Sequence, residues 1–158
     1  MARAKRFGPY NYEKKLGDRS YDFKATVDDI ISTVDARMTA VVRESVSRTI
    51  DIAQTVEGKG GKMRIDTGFL RASGQLSLTG MPTGPVRGEL TEKNSYTADP
   101  TVITLELGKF KLGATLFWVW SADYARVREA YDGFLESAVQ KWPQTVATVC
   151  EEVKARIK

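Results

Sequence analysis

Between residues 27 and 53, apolar side chains fall at Val27, Ile30, Ile31, Val34, Met38, Val41, Val42, Val46, Ile50 and Ala53, a three-and-four spacing that lines one face of a helix. Asp28, Asp35, Arg37, Arg43, Glu44, Arg48 and Asp51 take the opposite face, and no proline or glycine intervenes. The pattern predicts a helix of about 28 residues, roughly 42 Å long, with its apolar stripe in the core. Two later stretches, "SGQLSLTG" (73–80) and "TVITLELGKF" (101–110), alternate with period two and predict half-buried strands. In the second, Ile103, Leu105 and Leu107 share one face, and Thr104 and Glu106 the other. "ATLFWVWS" (114–121) predicts a third strand that is apolar on both faces, with Leu116, Trp118 and Trp120 on one side and Phe117 and Val119 on the other. Such a strand is expected at the centre of a sheet or at an assembly surface.

Between the first two strands, residues 80–100 read as a loop of about 20 residues, a length usually tied to function or mobility. "VRGELTE" (86–92) is a short strand candidate within it. From Phe134 onward, Leu135, Val139, Trp142, Val146, Val149, Val153 and Ile157 return to helical spacing, and Pro143 predicts a kink or a restart near Trp142. Asp132 and Gly133 are the candidate cap at the start of that helix. The expected class is α+β: a long N-terminal amphipathic helix and a C-terminal helix packed on a small, mainly antiparallel sheet. A basic aromatic arm, residues 1–24, is expected to precede a single domain, residues 25–158.

Composition narrows what such a domain can do. At 158 residues, 42% hydrophobic and 28% charged, the chain is of ordinary globular type. No apolar run approaches the roughly 20 residues of a membrane span, and no secretory signal is read, so synthesis in a cytoplasm without membrane attachment is expected. The sequence contains no histidine, which removes Ser-His-Asp and Cys-His catalysis and every His-containing zinc site. Cys150 is the single cysteine and falls among apolar helical positions, where a core role is expected. The net charge of +4 lies entirely in residues 1–24, which hold seven basic and three acidic residues. Arg3, Lys5 and Arg6, interleaved with Phe7, Tyr10 and Tyr12, could contact nucleic acid, dock on an acidic subunit or stay mobile.

Two short motifs invite chemistry. "EGKGGK" (57–62) suggests a phosphate loop, but Met63 follows Lys62 where Ser or Thr is required, the four-residue spacer is missing, and a helix rather than a strand precedes it. "RIDTGFLRAS" (64–73) carries Asp66-Thr67-Gly68, the triplet of aspartic proteases, which need two aspartates sharing a proton. The chain has no second copy, so only a homodimer could supply the partner, and Phe69 replaces the small residue expected after the glycine. The alternative is a junction: Asp66 or Thr67 caps the next element, Gly68 gives backbone freedom, Phe69, Leu70 and Ala72 begin a buried turn, and Arg71 points outward. No catalytic residue, cofactor or metal ligand is therefore expected.

The order of these motifs resembles the neck or tail-completion proteins of long-tailed bacteriophages, including the minor tail protein Z type. The resemblance rests on a long first helix, a glycine-containing loop, "DTGFLRAS" for the family's Asp-Thr-Gly-x-Leu-Arg-x-Ser, then "ADYARVREA" with Tyr124 and Ala125 at the end of the third strand, and "GFLESAVQKW". It spans roughly residues 27–158. The family's Glu-x-Gly step is altered: Glu129 is present, but Ala130-Tyr131 follow it. The resemblance implies a non-enzymatic virion protein, a homo-oligomeric ring at the neck or upper tail that meets head-closure, tail-terminator or tail-tube rings, with DNA in the channel as a possible contact. Asp66, Thr67, Gly68, Leu70, Arg71, Ser73, Tyr124 and Ala125 are then the structural motif. Trp118, Trp120, Arg3, Lys5 and Arg6 are the candidate contacts with neighbouring subunits or partners. An aspartic protease using Asp66 and a nucleic-acid-binding module using the arm are the rival readings.

Overall fold

The computed structural model describes residues 12–83 and 96–156, with side chains from residue 23 onward. In chain order it contains α1 (Tyr12–Gln54), a 3-10 turn (Glu57–Lys59), α2 (Phe69–Ala72), β1 (Gly74–Ser77), α3 (Pro100–Gly108), β2 (Phe117–Trp120), α4 (Ala125–Asp132), α5 (Phe134–Gln140) and α6 (Trp142–Arg156). Two compact units divide at Ala36 and Arg37. The class is α+β, with a long N-terminal helix, a C-terminal helix and a two-stranded antiparallel sheet.

In the N-terminal unit the described residues are helical, and α1 starts at Tyr12, well before the predicted residue 27. Its stripe was expected in the core, but Ile30, Ile31 and Val34 are exposed, as is Phe23 ahead of it. Periodicity identifies the face that gains from cover; it does not supply the cover.

In the larger unit the same stripe passes from exposed Met38 through half-buried Val41, Val42 and Val46 to buried Ile50 and Ala53. Ile50 packs with Leu76 of β1 and Leu107 of α3, and half-buried Val46, Ile103, Leu116 and Trp118 surround them. Ala53 joins a second cluster with Met63, Leu70, Ala122, Phe134 and Ala138. Cluster membership shows how the sheet survives with two strands, a size that is marginal in water without a packed face. The register pairs Gly74 with Trp120, Gln75 with Val119, Leu76 with Trp118 and Ser77 with Phe117. Of the predicted strand at 114–121, residues 117–120 form one partner of a pair; among the described residues β2 is not a central strand.

The predicted strand at residues 101–110 is instead helical as far as Gly108, within α3. Its apolar residues fit both periods, so the ends decide. The Asp99 carboxylate accepts from the Thr101 N–H at 2.8 Å and Pro100 sits in the first turn, the combination that starts a helix. At the other end, the Arg43 guanidinium of α1 donates to the Gly108 and Phe110 carbonyls at 2.7 and 2.6 Å, satisfying acceptors that the helix leaves open. The strand candidate at residues 86–92 lies outside the described residues, as does the arm's Arg3, Lys5 and Arg6.

The C-terminal helices restart where Pro143 places them, with Trp142 and Pro143 opening α6. Val149 and Val153 are buried on it, whereas Cys150 is half-buried, short of the core role expected. Arg48 of α1 pairs with Glu44 and with Glu152 of α6, and Arg156 of α6 also pairs with Glu44.

Candidate functional site

The segment before α2 begins with a turn that closes the end of α1. The Glu57 N–H donates to the Met63 carbonyl at 3.0 Å, and the Met63 N–H donates to the Thr55 carbonyl at 3.3 Å, which folds Met63 inward to complete burial. Gly61 sits so close to α1 that a Cβ there would lie 1.8 Å from the Thr55 carbonyl oxygen. Close approach, not phosphate binding, accounts for that glycine.

Asp66-Thr67-Gly68 follows without any strand leading into it, and Asp66 and Thr67 are exposed. Gly68 has φ +80°, and a Cβ on it would fall 2.6 Å from the Tyr96 carbonyl oxygen. The Tyr96 N–H donates to the Thr67 carbonyl at 2.7 Å, so the chain at Tyr96 straps this turn in place. Only glycine meets both the left-handed conformation and the close approach. The Thr67 hydroxyl accepts from the Phe69 N–H at 3.4 Å, a long local cap. Thr67, rather than Asp66, is the side chain that reaches the start of α2.

The rest of the motif turns inward. Leu70 and Ala72 are buried and Arg71 is exposed, as the spacing predicts. Phe69 packs edge-on to Tyr96 with centroids 5.0 Å apart, and lies 6.3 Å from the ring of Tyr124. Ser73 has no exposed surface. Its hydroxyl donates to the Leu70 carbonyl at 2.8 Å and accepts from the Ala122 N–H at 3.2 Å. The Ser73 carbonyl accepts from the Ser121 N–H at 3.0 Å and from the Ser121 hydroxyl at 3.2 Å.

Tyr124 and Ala125 belong to a helix start and not to a strand end: β2 stops at Trp120, Tyr124 holds the N-cap position and Ala125 is the first residue of α4. Partial burial raises the Tyr124 phenol above its ordinary pKa, opposed by a hydrogen bond with the Leu70 backbone. Asp66 through Arg71, Arg64, Ile65, Tyr124 and Arg128 line a cleft of about 350 Å³. Residues more than 50 positions apart in sequence thus form one junction.

Farther on, Glu129 joins two helices. The Glu129 carboxylate accepts from the Leu135 and Glu136 N–H groups at 2.8 Å each, capping α5 from the preceding helix. Gly133, with φ +59°, makes the turn between α4 and α5. Asp132 was the expected cap; instead its carboxylate, 3% exposed, meets Arg128 at 2.5 Å and Arg64 at 3.5 Å.

Trp118 and Trp120 stack edge to face at 5.4 Å, and Trp120 meets Phe134 at 5.0 Å. Both are half-buried, and both indole N–H groups are buried without a hydrogen-bond partner among the described residues. With Val46, Thr49, Ile50, Ala53, Leu135 and Trp142 they line an apolar pocket of about 120 Å³. The tryptophans therefore serve the core and also border a recess. Sequence reasoning missed Tyr96 and Glu129 as junction residues; for Glu129 the signal was present, since a carboxylate a few residues before a helix start can cap it.

Among the described residues, no group of three or more His, Cys, Asp or Glu side chains could hold a metal ion, and no helix is long and apolar enough to cross a membrane. A scan against protein-family models and searches of curated proteins and of solved structures return no match.

Proposed function

We propose that this chain is a structural virion protein of a tailed phage, acting in head-tail joining or tail completion as part of a ring at the neck or upper tail. The observation that supports the reading is the convergence of the motif. Asp66-Thr67-Gly68, Leu70, Ser73, Tyr124 and Ala125 carry the resemblance from separate parts of the sequence, and they meet in one junction fastened through Ser73 and Tyr96. A motif whose residues hold one another in place, rather than flanking a reactive group, fits a scaffold role. The partners of the proposed ring are head-closure, tail-terminator or tail-tube rings. The basic arm with Arg3, Lys5 and Arg6 would supply a salt-sensitive contact to an acidic ring or to DNA.

The test is electron microscopy of particles formed after disrupting this gene in the phage or prophage genome that carries it. Filled heads beside unattached or defective tails are the expected outcome. Normal, infectious particles would overturn the proposal.

A further inference from the structure

A cleft of about 880 Å³ lies between the end of α1, the glycine turn at residues 57–62 and α5 with α6. Its lining includes Arg48, Lys62 and Lys141 but no aspartate or glutamate, no aromatic ring and one aliphatic side chain, Ile52. The surface elsewhere differs: a cleft of about 590 Å³ beside β1 and α3 sets Asp51, Asp99 and Glu106 against Arg71.

Arg48 is already engaged by Glu44 and Glu152. The side chains of Lys62, Lys141, Gln144 and Thr148 are exposed, and they have no hydrogen-bond or ion-pair partner among the described residues. The cleft thus offers two unpaired positive charges and two neutral hydrogen-bonding groups. Both lysines stand on fixed backbone. Lys62 lies between Gly61, packed against the Thr55 carbonyl, and Met63, which has no exposed surface. Lys141 joins α5 to α6; its N–H donates to the Ala138 carbonyl at 3.1 Å and its carbonyl accepts from the Thr145 N–H at 3.0 Å.

The donor set selects among anions. A carboxylate is matched best by a guanidinium fork, and the fork at Arg48 is occupied. Ammonium groups act as point charges that suit phosphate, and Lys, Gln and Thr are common phosphate contacts. A loop-type cradle stays excluded, because the Gly60 and Gly61 N–H groups donate to the Glu57 and Val56 carbonyls at 3.0 Å each. With no aromatic ring in the lining, no base is stacked there.

We propose that this cleft binds phosphate groups through Lys62 and Lys141, with Gln144 and Thr148 hydrogen-bonded to the phosphate oxygens. The phosphate is carried by a nucleic-acid backbone or by a small phosphate ester; the chemistry at the cleft is the same. The site does not use the basic arm and does not rest on the phage reading.

Nuclear magnetic resonance of the full chain, titrated with sodium pyrophosphate at constant ionic strength, tests it. Saturable shifts of the Lys62, Lys141, Gln144 and Thr148 backbone amides are expected, with a Kd of about 1 mM or tighter. Lys62→Gln combined with Lys141→Gln should weaken binding about tenfold and leave the rest of the spectrum unchanged. Sodium citrate, a carboxylate of similar charge, should bind about tenfold more weakly than pyrophosphate. Absence of saturable shifts at these residues, equal affinity for citrate, or binding that the double variant keeps would overturn the proposal. Competition then assigns the source. Displacement of pyrophosphate by a short DNA duplex indicates a nucleic-acid backbone, and displacement by glycerol 3-phosphate but not by DNA indicates a small ester. Displacement by neither overturns the proposal.

Discussion

Two stretches of α1 follow the same hydrophobic rule and reach opposite ends. Around Ile50 and Ala53 the apolar stripe is sealed by Leu76, Leu107, Met63 and Phe134. Around Ile30 and Val34 it stands in water. The sequence pattern is alike in both, so burial is decided by what the chain returns to lay against the stripe. For the sealed part, β1 and α3 return against Ile50, and the glycine turn at residues 57–62 with α5 returns against Ala53. An apolar stripe therefore stabilises the fold only where the chain returns to cover it.

This contrast can be broken most forcefully at Phe134, which is 2% exposed and central to the sealed cluster. Phe134→Ala is expected to cost about 3–5 kcal/mol, read from the shift in the urea midpoint; a cost below about 1 kcal/mol would show that the cluster does not hold the fold. Gly68→Val comes next. It forces a β-branched residue to φ +80° and a Cβ into the Tyr96 carbonyl, for a loss of about 2–4 kcal/mol. Wild-type thermal stability in that variant would remove the special place given to the turn.

The clamp between α1 and α6 sharpens the comparison at lower energy. Hydrogen bonds from Arg156 to Glu44 and from Arg48 to Glu152 hold both carboxylates below the ordinary glutamate value. A depressed folded-state pKa means that the stabilisation is fully present above the unfolded value, near 4.3, and is lost as pH falls through the folded value. Wild-type protein should therefore lose more stability than Glu152→Gln as pH drops below about 4.5, by a small, salt-screened margin because the groups are exposed. Equal acid sensitivity in the two proteins would show that the clamp contributes nothing. The smallest effect belongs to the open stripe: Ile30→Ala, measured in dilute solution, should change folding stability by less than about 0.5 kcal/mol. A large loss there would mean that the strip is covered within one chain.

Much of this architecture was legible beforehand, and the failures have physical causes. The first helix, the buried turn of Leu70 and Ala72, the strands at residues 74–77 and 117–120 and the restart at Trp142 all follow from spacing and from proline. Residues 101–110 were misread because an apolar run satisfies helical and strand periods alike, and Asp99-Pro100 was the deciding signal. At the junction, Gly68 and Ser73 were identified but their partners were not. Tyr96 reaches Thr67 through its backbone, and no residue pattern announces a backbone contact across almost thirty positions. Tyr124 was assigned to a strand end because strand and helix start lie only four residues apart.

The bonding at Ser73 also bears on how this protein yields to force. One residue fastens the end of α2 to the segment after β2 through its hydroxyl and its carbonyl, so tension applied across that joint loads several hydrogen bonds at once instead of unzipping them in turn. A joint loaded in this way resists a sudden pull better than its free energy alone would suggest.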